Sequence, residues 1–383
     1  MSVTSAKGFI AGAAKASLRS DGTNDVAVVI NLGPDFNAAA VFTKNQVKAA
    51  PVLWSEQAIK SGSCKAVVLN SGGANACTGS KGFEIAHKSA EFLANLLSVG
   101  SVDIQVCSTG LIGKQLSLAN LLPAVKEATD SASIEGSAAA AQAILTTDSY
   151  AKQVEIKREK FTIGGMIKGA GMLAPDLATM LCVITTDAVI DSVTLDESLK
   201  KTVSKTLNRI DSDGCTSTND TVLLMSSGAS GESVEKIDFQ EALFETLTKL
   251  GEMLINDAEG SAKDIKISAV NCPNEIMAEA AARAVARNNL FKTAMSGSDP
   301  NWGRIMAAIG VIEFEFDQFL VDVYLNDLLV CENGEALDIE NAVDLSKRLI
   351  DVRIDFKSGK SHVTVWTNDL SEKYVYENSA YST

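Results

Sequence analysis

Apolar positions in this chain follow two alternating rhythms. Short aliphatic and β-branched runs at 25–32 (DVAVVINL), 38–45 (AAAVFTKN), 65–70 (KAVVLN), 102–107 (VDIQVC), 180–190 (MLCVITTDAVI) and 221–225 (TVLLM) predict strands. Gly33-Pro34-Asp35 marks a turn between the first two, and 155–171 reads as strand, turn, second short strand. Between these runs the period lengthens to that of helices, at 80–97, 116–129, 135–145, 194–210 and 239–260. The 194–210 segment carries Asp196 and Glu197 in its first turn, as a helix start should. Past residue 260, strand-like and helix-like segments keep alternating to SHVTVWTN at 361–368. The pattern is α/β or α+β throughout, with no linker, low-complexity tract or clear repeat. The best boundary candidate is the loop at 169–178, but the pattern on either side is too interleaved for two independent units.

Composition narrows the function classes. The chain has 383 residues, 46% hydrophobic and 21% charged, and 48 acidic against 34 basic residues give a formal net charge of -14. A nucleic-acid or anionic-membrane partner would want a basic face, so neither is expected. Seven cysteines stand at 64, 77, 107, 182, 215, 272 and 331 with no CxxC, the pattern of reduced, mostly core-packed thiols in a cytoplasmic protein. The N-terminus lacks a signal-peptide h-region of normal length, and no apolar run approaches 18 residues. His87 and His362 are the only histidines, and both read as structural. A Ser-His-Asp enzyme, a Cys-His enzyme or a His-ligated zinc site is therefore not expected.

One stretch asks for an explanation: KGAGMLAPDLATMLCVITTDA, 168–188. A flexible glycine segment passes through Pro175-Asp176 to Ala178-Thr179, and an apolar run starts at once. A Thr there fits four readings. It could simply enter a strand. The glycines could bind an anion, although GAGM is not GxGxxG and no helix follows. Cys182 could belong to a zinc or redox site, although it lacks partners. Or Thr179 could be an N-terminal nucleophile unmasked by self-cleavage. A Thr hydroxyl is a poor nucleophile and needs a base. This chain has almost no His, but a freed N-terminal Thr carries an α-amine of ordinary pKa near ~7.7–8.0.

KGAGMLAPDLATML resembles the cleavage and nucleophile signature of the ornithine acetyltransferase family, the glutamate N-acetyltransferases of arginine biosynthesis. Other segments resemble the same family in the same order: GFIAGAAKASLR with AAAVFTKNQVKAAPV, NSGGANACTG, STGLIG, DAEGSAK, SGSDPNWGRIMAAIG and YVYENSAYST. Two positions depart from its pattern. Asp176 stands where Asn is expected before the scissile bond, and the end reads Asn-Ser-Ala-Tyr-Ser-Thr rather than Asn-Ala-Asp-Tyr-Arg-Thr.

The resemblance implies a four-layer α/β/β/α sandwich, similar in layers to the N-terminal nucleophile hydrolases but connected differently. It implies autoproteolysis between Ala178 and Thr179 into an α chain, 1–178, and a β chain, 179–383, which stay together as one intertwined catalytic unit and pair into an α2β2 heterotetramer. It implies a ping-pong acyl transfer in which N-acetylornithine acetylates Thr179, ornithine leaves, and glutamate takes the acetyl group. Thr109 and Gly110 are the implied oxyanion hole; Thr146, Lys168, Thr179, Glu259, Asn378 and Thr383 are the implied substrate contacts. Thr147 is the neighbour most easily confused with Thr146. The DPNWGR string at 299–304 reads as structural bracing. No metal or cofactor is expected. Acetyl-CoA is left open as a second acetyl donor, with no CoA motif legible. An amidase or aminopeptidase with the same nucleophile, passing the acyl group to water, is the rival enzyme; an uncleaved scaffold is the rival outside enzymes.

Overall fold

The computed structural model describes residues 2–174, 180–338 and 342–380. Ala178, Thr179 and Thr383, with Asp176, lie outside the described residues. The first nine strands are β1 (Phe9–Ala14), β2 (Val26–Asn31), β3 (Ala38–Phe42), β4 (Ala66–Asn70), β5 (Ile104–Ser108), β6 (Lys152–Lys157), β7 (Thr162–Lys168), β8 (Leu181–Thr186) and β9 (Thr221–Ser226). They form two sheets, ordered β1-β2-β4-β5 and β3-β9-β8-β7-β6. Only β4/β5 and β8/β9 pair in parallel; the other neighbours are antiparallel.

The strand runs are continuously apolar because both faces are buried. Along β8, Leu181 and Val183 point between the sheets, while Cys182 and Ile184 point outward to a second core. β2 divides likewise: Ala27 and Val29 inward, Val26, Val28 and Ile30 outward. The outward face of the first sheet is covered by α2 (Gly79–Leu97) and α3 (Leu118–Asp130), and that of the second by α5 (Ser192–Lys205) and α6 (Lys236–Asn256). This is the expected α/β/β/α stack. α1 (Ala50–Ala58) packs beside β5, and α4 (Ser137–Ala143) contributes Ala140 and Ala141 to the core between the sheets. α5 begins two residues before the sequence reading because Asp191 accepts a hydrogen bond from the Thr194 N–H and caps it.

The four layers do not take in the whole chain. Six further strands, β10 (Asp264–Cys272), β11 (Asp322–Leu325), β12 (Leu328–Glu332), β13 (Glu335–Ala336), β14 (Leu349–Asp355) and β15 (Ser361–Asn368), form a third sheet in the order β13-β12-β11-β14-β10-β15. α7 (Glu275–Ala286), α8 (Asn289–Ser296) and α9 (Trp302–Ile309) cover it and enclose a separate core. Burial along β10 alternates, since helices cover one face only. The VIEFEF stretch after α9 is no regular element; Phe314 and Phe316 pack against this core from a loop. The lobe is tied to the sandwich through Asp211, whose N–H donates to the Trp366 carbonyl at 2.8 Å and whose carboxylate meets Arg283 and Arg287. The last helix, α10 (Glu372–Ala380), returns toward the sandwich, with Tyr374 seated on Gly260.

β7 and β8 are antiparallel neighbours, Ile163 opposite Thr186 and Lys168 opposite Leu181. The segment between them therefore leaves and re-enters one sheet. The ladders of β8 with β7 and with β9 hold the strands that end at Lys168 and begin at Leu181 in place whatever joins them.

Candidate active site

Parallel pairing of β4 and β5 brings two loops together at their C-terminal ends. Asn70 lies opposite Ser108, and the Thr109 N–H donates to the Asn70 carbonyl at 2.9 Å. The Gly73 N–H donates to the Thr109 carbonyl at 3.0 Å. Asn219, just before β9, donates from Nδ2 to the carbonyls of Ala74 (2.6 Å) and Ser108 (2.8 Å), so the second sheet braces both loops of the first. Gly110 follows with φ +119°, and a Cβ there would stand 3.0 Å from the Gly73 nitrogen. Glycine is required there by conformation and by space. The Gly110 N–H has no hydrogen-bond partner among the described residues.

Lys168 closes β7 beneath these loops with only 1% of its surface exposed. Its ammonium donates to Thr146 Oγ1 at 2.8 Å and to Thr109 Oγ1 at 3.3 Å. Both hydroxyls thus accept from the lysine and keep their own hydrogens for something else. Thr146 and its neighbour Thr147 both line the pocket, but only Thr146 is held by Lys168. The sequence reading makes this ammonium a plain substrate contact. In the fold it underlies two threonines, with one N–H still unassigned among the described residues.

Asp148 is the carboxylate that favours the charged form of this lysine. Its side chain is fully buried, 3.9 Å from the Lys168 ammonium and 2.7 Å from that of Lys152, which also meets Asp257 at 2.6 Å. Its oxygens further accept from the Gly169 N–H (2.6 Å) and the Thr146 N–H (3.1 Å). Burial pushes the Asp148 carboxyl up, but Lys168 and Lys152 outweigh it and hold it below the ordinary value. Burial pushes the Lys168 ammonium down, against the pull of Asp148.

The glycine loop after Lys168 is less slack than its composition suggests. The Ala170 carbonyl accepts from the Glu259 N–H at 3.0 Å, and the Leu173 N–H donates to Asp213 at 3.0 Å. Met172 adopts φ +54°, and a Cβ on Gly171 would fall 2.6 Å from the Glu259 carboxylate. Thr109, Gly110, Thr146, Lys168, Gly171, Glu259 and Asn378 line one pocket, with Ala74, Ile112, Thr147, Met172 and Ser217 to Asn219 completing it. Glu259 faces that pocket with no ion pair among the described residues. Asn378 is exposed on α10 at the pocket's edge, its amide donating to the Tyr374 carbonyl. Residues from distant sequence motifs thus share one cavity. It offers a hydroxyl and an amide N–H as donors, a buried cation beneath them, and a carboxylate at a third position. An acyl oxygen suits the donors, and a substrate ammonium suits Glu259.

Other readings of the junction lose ground. Cys182 is buried in β8, and burial pushes its thiol far up, away from the thiolate that a metal or redox site needs. His87 lies on α2 with its ring 4.9 Å from Trp54, and His362 lies on β15. Sequence reasoning gave no role to Asp148, Lys152, Asp257, Asn219 or Asp220. The nearest signal was the Thr146-Thr147-Asp148 string, where an acid two residues after a Thr can accept its N–H.

Comparison with known proteins shows the family. The ArgJ family profile matches residues 10–383. "Arginine biosynthesis bifunctional protein ArgJ" of Streptomyces coelicolor is 51% identical over 382 residues, spanning 100% of both chains. The protein of the same name from Thermobifida fusca is 49% identical over 383 residues, again across 100% of both. A crystal structure of ornithine acetyltransferase complexed with ornithine, from Mycobacterium tuberculosis, is 46% identical, covering 47% of this chain and 96% of that one with a TM-score of 0.45. From residue 10 to its end, this chain belongs to the ArgJ family of arginine biosynthesis.

Proposed function

We propose that this protein moves the acetyl group of N-acetylornithine to glutamate through an acetyl-Thr179 intermediate, after cutting itself between Ala178 and Thr179. The observation that carries the reading is the Thr109–Gly110 corner, where a hydroxyl hydrogen and a backbone N–H are both free to donate, with Lys168 buried behind them. Thr179 Oγ attacks the acetyl carbonyl of N-acetylornithine, and its proton passes to the α-amine of Thr179. The oxyanion that forms needs fixed donors, which this corner supplies. The C–N bond breaks, the α-amine returns the proton to the leaving ornithine nitrogen, and the acetyl group remains on Oγ. Glutamate's amine then attacks the ester, restoring Thr179 and yielding N-acetylglutamate. A covalent intermediate divides one amine-to-amine transfer into two easier steps. Glu259 takes a substrate ammonium, while Thr146, Asn378 and Thr383 complete the substrate contacts. The α and β chains remain one unit, two such pairs associate, and the enzyme works in the cytoplasm. Relatives named bifunctional support acetyl-CoA as a second donor; no other cofactor enters the reaction.

The test is transfer itself. Incubation with N-acetylornithine and isotope-labelled glutamate should yield labelled N-acetylglutamate, and omission of N-acetylornithine should abolish it. Release of acetate with no labelled product would favour the amidase instead. A second arm replaces N-acetylornithine by acetyl-CoA, and labelled product there establishes the second activity.

Gly171→Ala probes the acid side of the pocket. The new Cβ must displace the Glu259 carboxylate, a shift its flexible side chain makes cheaply, but a substrate ammonium left without that partner costs about 1–3 kcal/mol. Expected is a rise in KM for N-acetylornithine of about 5- to 150-fold by the same energies, read from steady-state kinetics. An unchanged KM would remove Glu259 from substrate binding.

A further inference from the structure

The α-amine of Thr179 can serve as base only once it exists. Before self-cleavage the nitrogen of residue 179 is an amide, with no basicity to offer, and both histidines lie elsewhere. The first step, loss of the Thr179 hydroxyl proton, therefore needs another acceptor. Two carboxyls, one half-buried and one buried, hold the backbone on either side of the junction. Asp213 accepts from the Leu173 N–H at 3.0 Å, and Asp220 accepts from the Met180 N–H at 2.9 Å through Oδ1. Met180 is bonded directly to Thr179, so Asp220 holds the peptide nitrogen that follows residue 179 in the chain.

Building on the self-cleaving reading above, we propose that Asp220 is the proton acceptor for self-cleavage. Its side chain is wholly buried just before β9, where Oδ1 takes the Met180 N–H and the Ser217 hydroxyl is the other donor that acts on the carboxyl. A buried carboxylate with so few donors is costly and calls for a role. Burial pushes this carboxyl well above the ordinary value. The Met180 N–H, Ser217 and the Lys168 charge act against that rise, and the Cys215 thiol feels its charge from the same loop. Asp213 accepts a second N–H, from Cys215 at 3.1 Å, so both its oxygens are employed.

In the step proposed, the Asp220 carboxylate takes the hydroxyl proton as Thr179 Oγ bonds to the Ala178 carbonyl carbon. The C–N bond then breaks and Asp220 returns the proton to the departing nitrogen. The product is an ester between Ala178 and Thr179 Oγ beside a free α-amine. Water hydrolyses the ester, leaving a carboxylate on Ala178 and the hydroxyl on Thr179.

The experiment follows processing of the full chain, labelled during cell-free synthesis and shifted to buffers between pH 5 and 9. Wild-type cleavage should slow as pH falls through the Asp220 value, because the protonated acid cannot accept. Asp220→Asn keeps an acceptor for the Met180 N–H but cannot take a proton. Its processing should be slower by on the order of 10²-fold or more, with the pH inflection gone. Asp220→Glu should restore part of the rate together with an inflection. Processing of Asp220→Asn at the wild-type rate, or a slower rate that keeps the wild-type inflection, overturns the proposal. Should Asp220→Asn fail to fold, a flat wild-type profile overturns it alone. A wild-type chain that never cleaves sinks the self-processing reading itself, a separate result.

Discussion

Thr179→Ala is expected to leave one 40.3 kDa species that is never cut and does not transfer acetyl groups. Three functions vanish with one hydroxyl. The chain has no nucleophile for its own Ala178 carbonyl, so no new terminus forms. Without that terminus there is no α-amine to act as base. Nothing then accepts the acetyl group, even with Thr109 and Gly110, the donors proposed for the oxyanion, intact. Groups that act as a unit fail as a unit, and a fall in kcat on the order of 10⁴-fold or more is expected. Thr179→Ser retains both hydroxyl and, after cutting, amine; it should still give two chains, the second beginning at residue 179. Denaturing mass spectrometry and the labelled-glutamate assay read both variants. Acetyl transfer by uncut Thr179→Ala would remove the covalent mechanism outright, whatever the fold. The fold itself should tolerate the change, because the pairing of β7 with β8 and of β8 with β9 lies on either side of the junction.

The same ladders show why part of this architecture was legible in the sequence. β2, β4, β8 and β9 are buried on both faces, so nearly every residue in them is apolar and the runs declare themselves. The six-stranded lobe was harder to see as a separate layer. Its strands alternate in burial, its helices cover one face, and nothing in a linear pattern says which sheet a strand joins. Site residues were legible where a motif carried them: Thr109, Gly110, Thr146, Lys168 and Glu259 do share a pocket. The acids and bases behind them were not. Lys152 opens KQVEIK on the face of Val154 and Ile156, and its side chain is fully buried, although a lysine at a strand end ordinarily reads as solvated. A buried charge looks like a surface charge until its partner is known, and the partners of Lys152 come from the loop before β6 and from the end of α6.

That hidden network yields the second large effect. Asp148→Asn is expected to destabilise the protein by about 3–5 kcal/mol, the usual result of removing one partner from a buried ion pair. Geometry explains why an amide cannot substitute. Asp148 Oδ1 accepts from Lys152 and Gly169, and Oδ2 accepts from Thr146 with Lys168 close by. Whichever oxygen becomes NH₂ points a donor at donors. Lys152 keeps Asp257, but Lys168 loses its nearest carboxylate while remaining buried. The variant is best measured in the single-chain Thr179→Ala background, where unfolding does not separate two chains. Its dependence on pH supplies the internal check. The folded-state value of Asp148 lies below the ordinary carboxylate value, so its stabilising contribution is fully present above about pH 4. That contribution fades as pH falls through the lowered folded value. The stability gap between the chain that keeps Asp148 and the Asp148→Asn chain should therefore be widest near neutrality and narrow below about pH 4. A gap that is absent near neutral pH, or constant well into the acid range, would mean that Asp148 is not the ion that holds Lys168 under the two threonines.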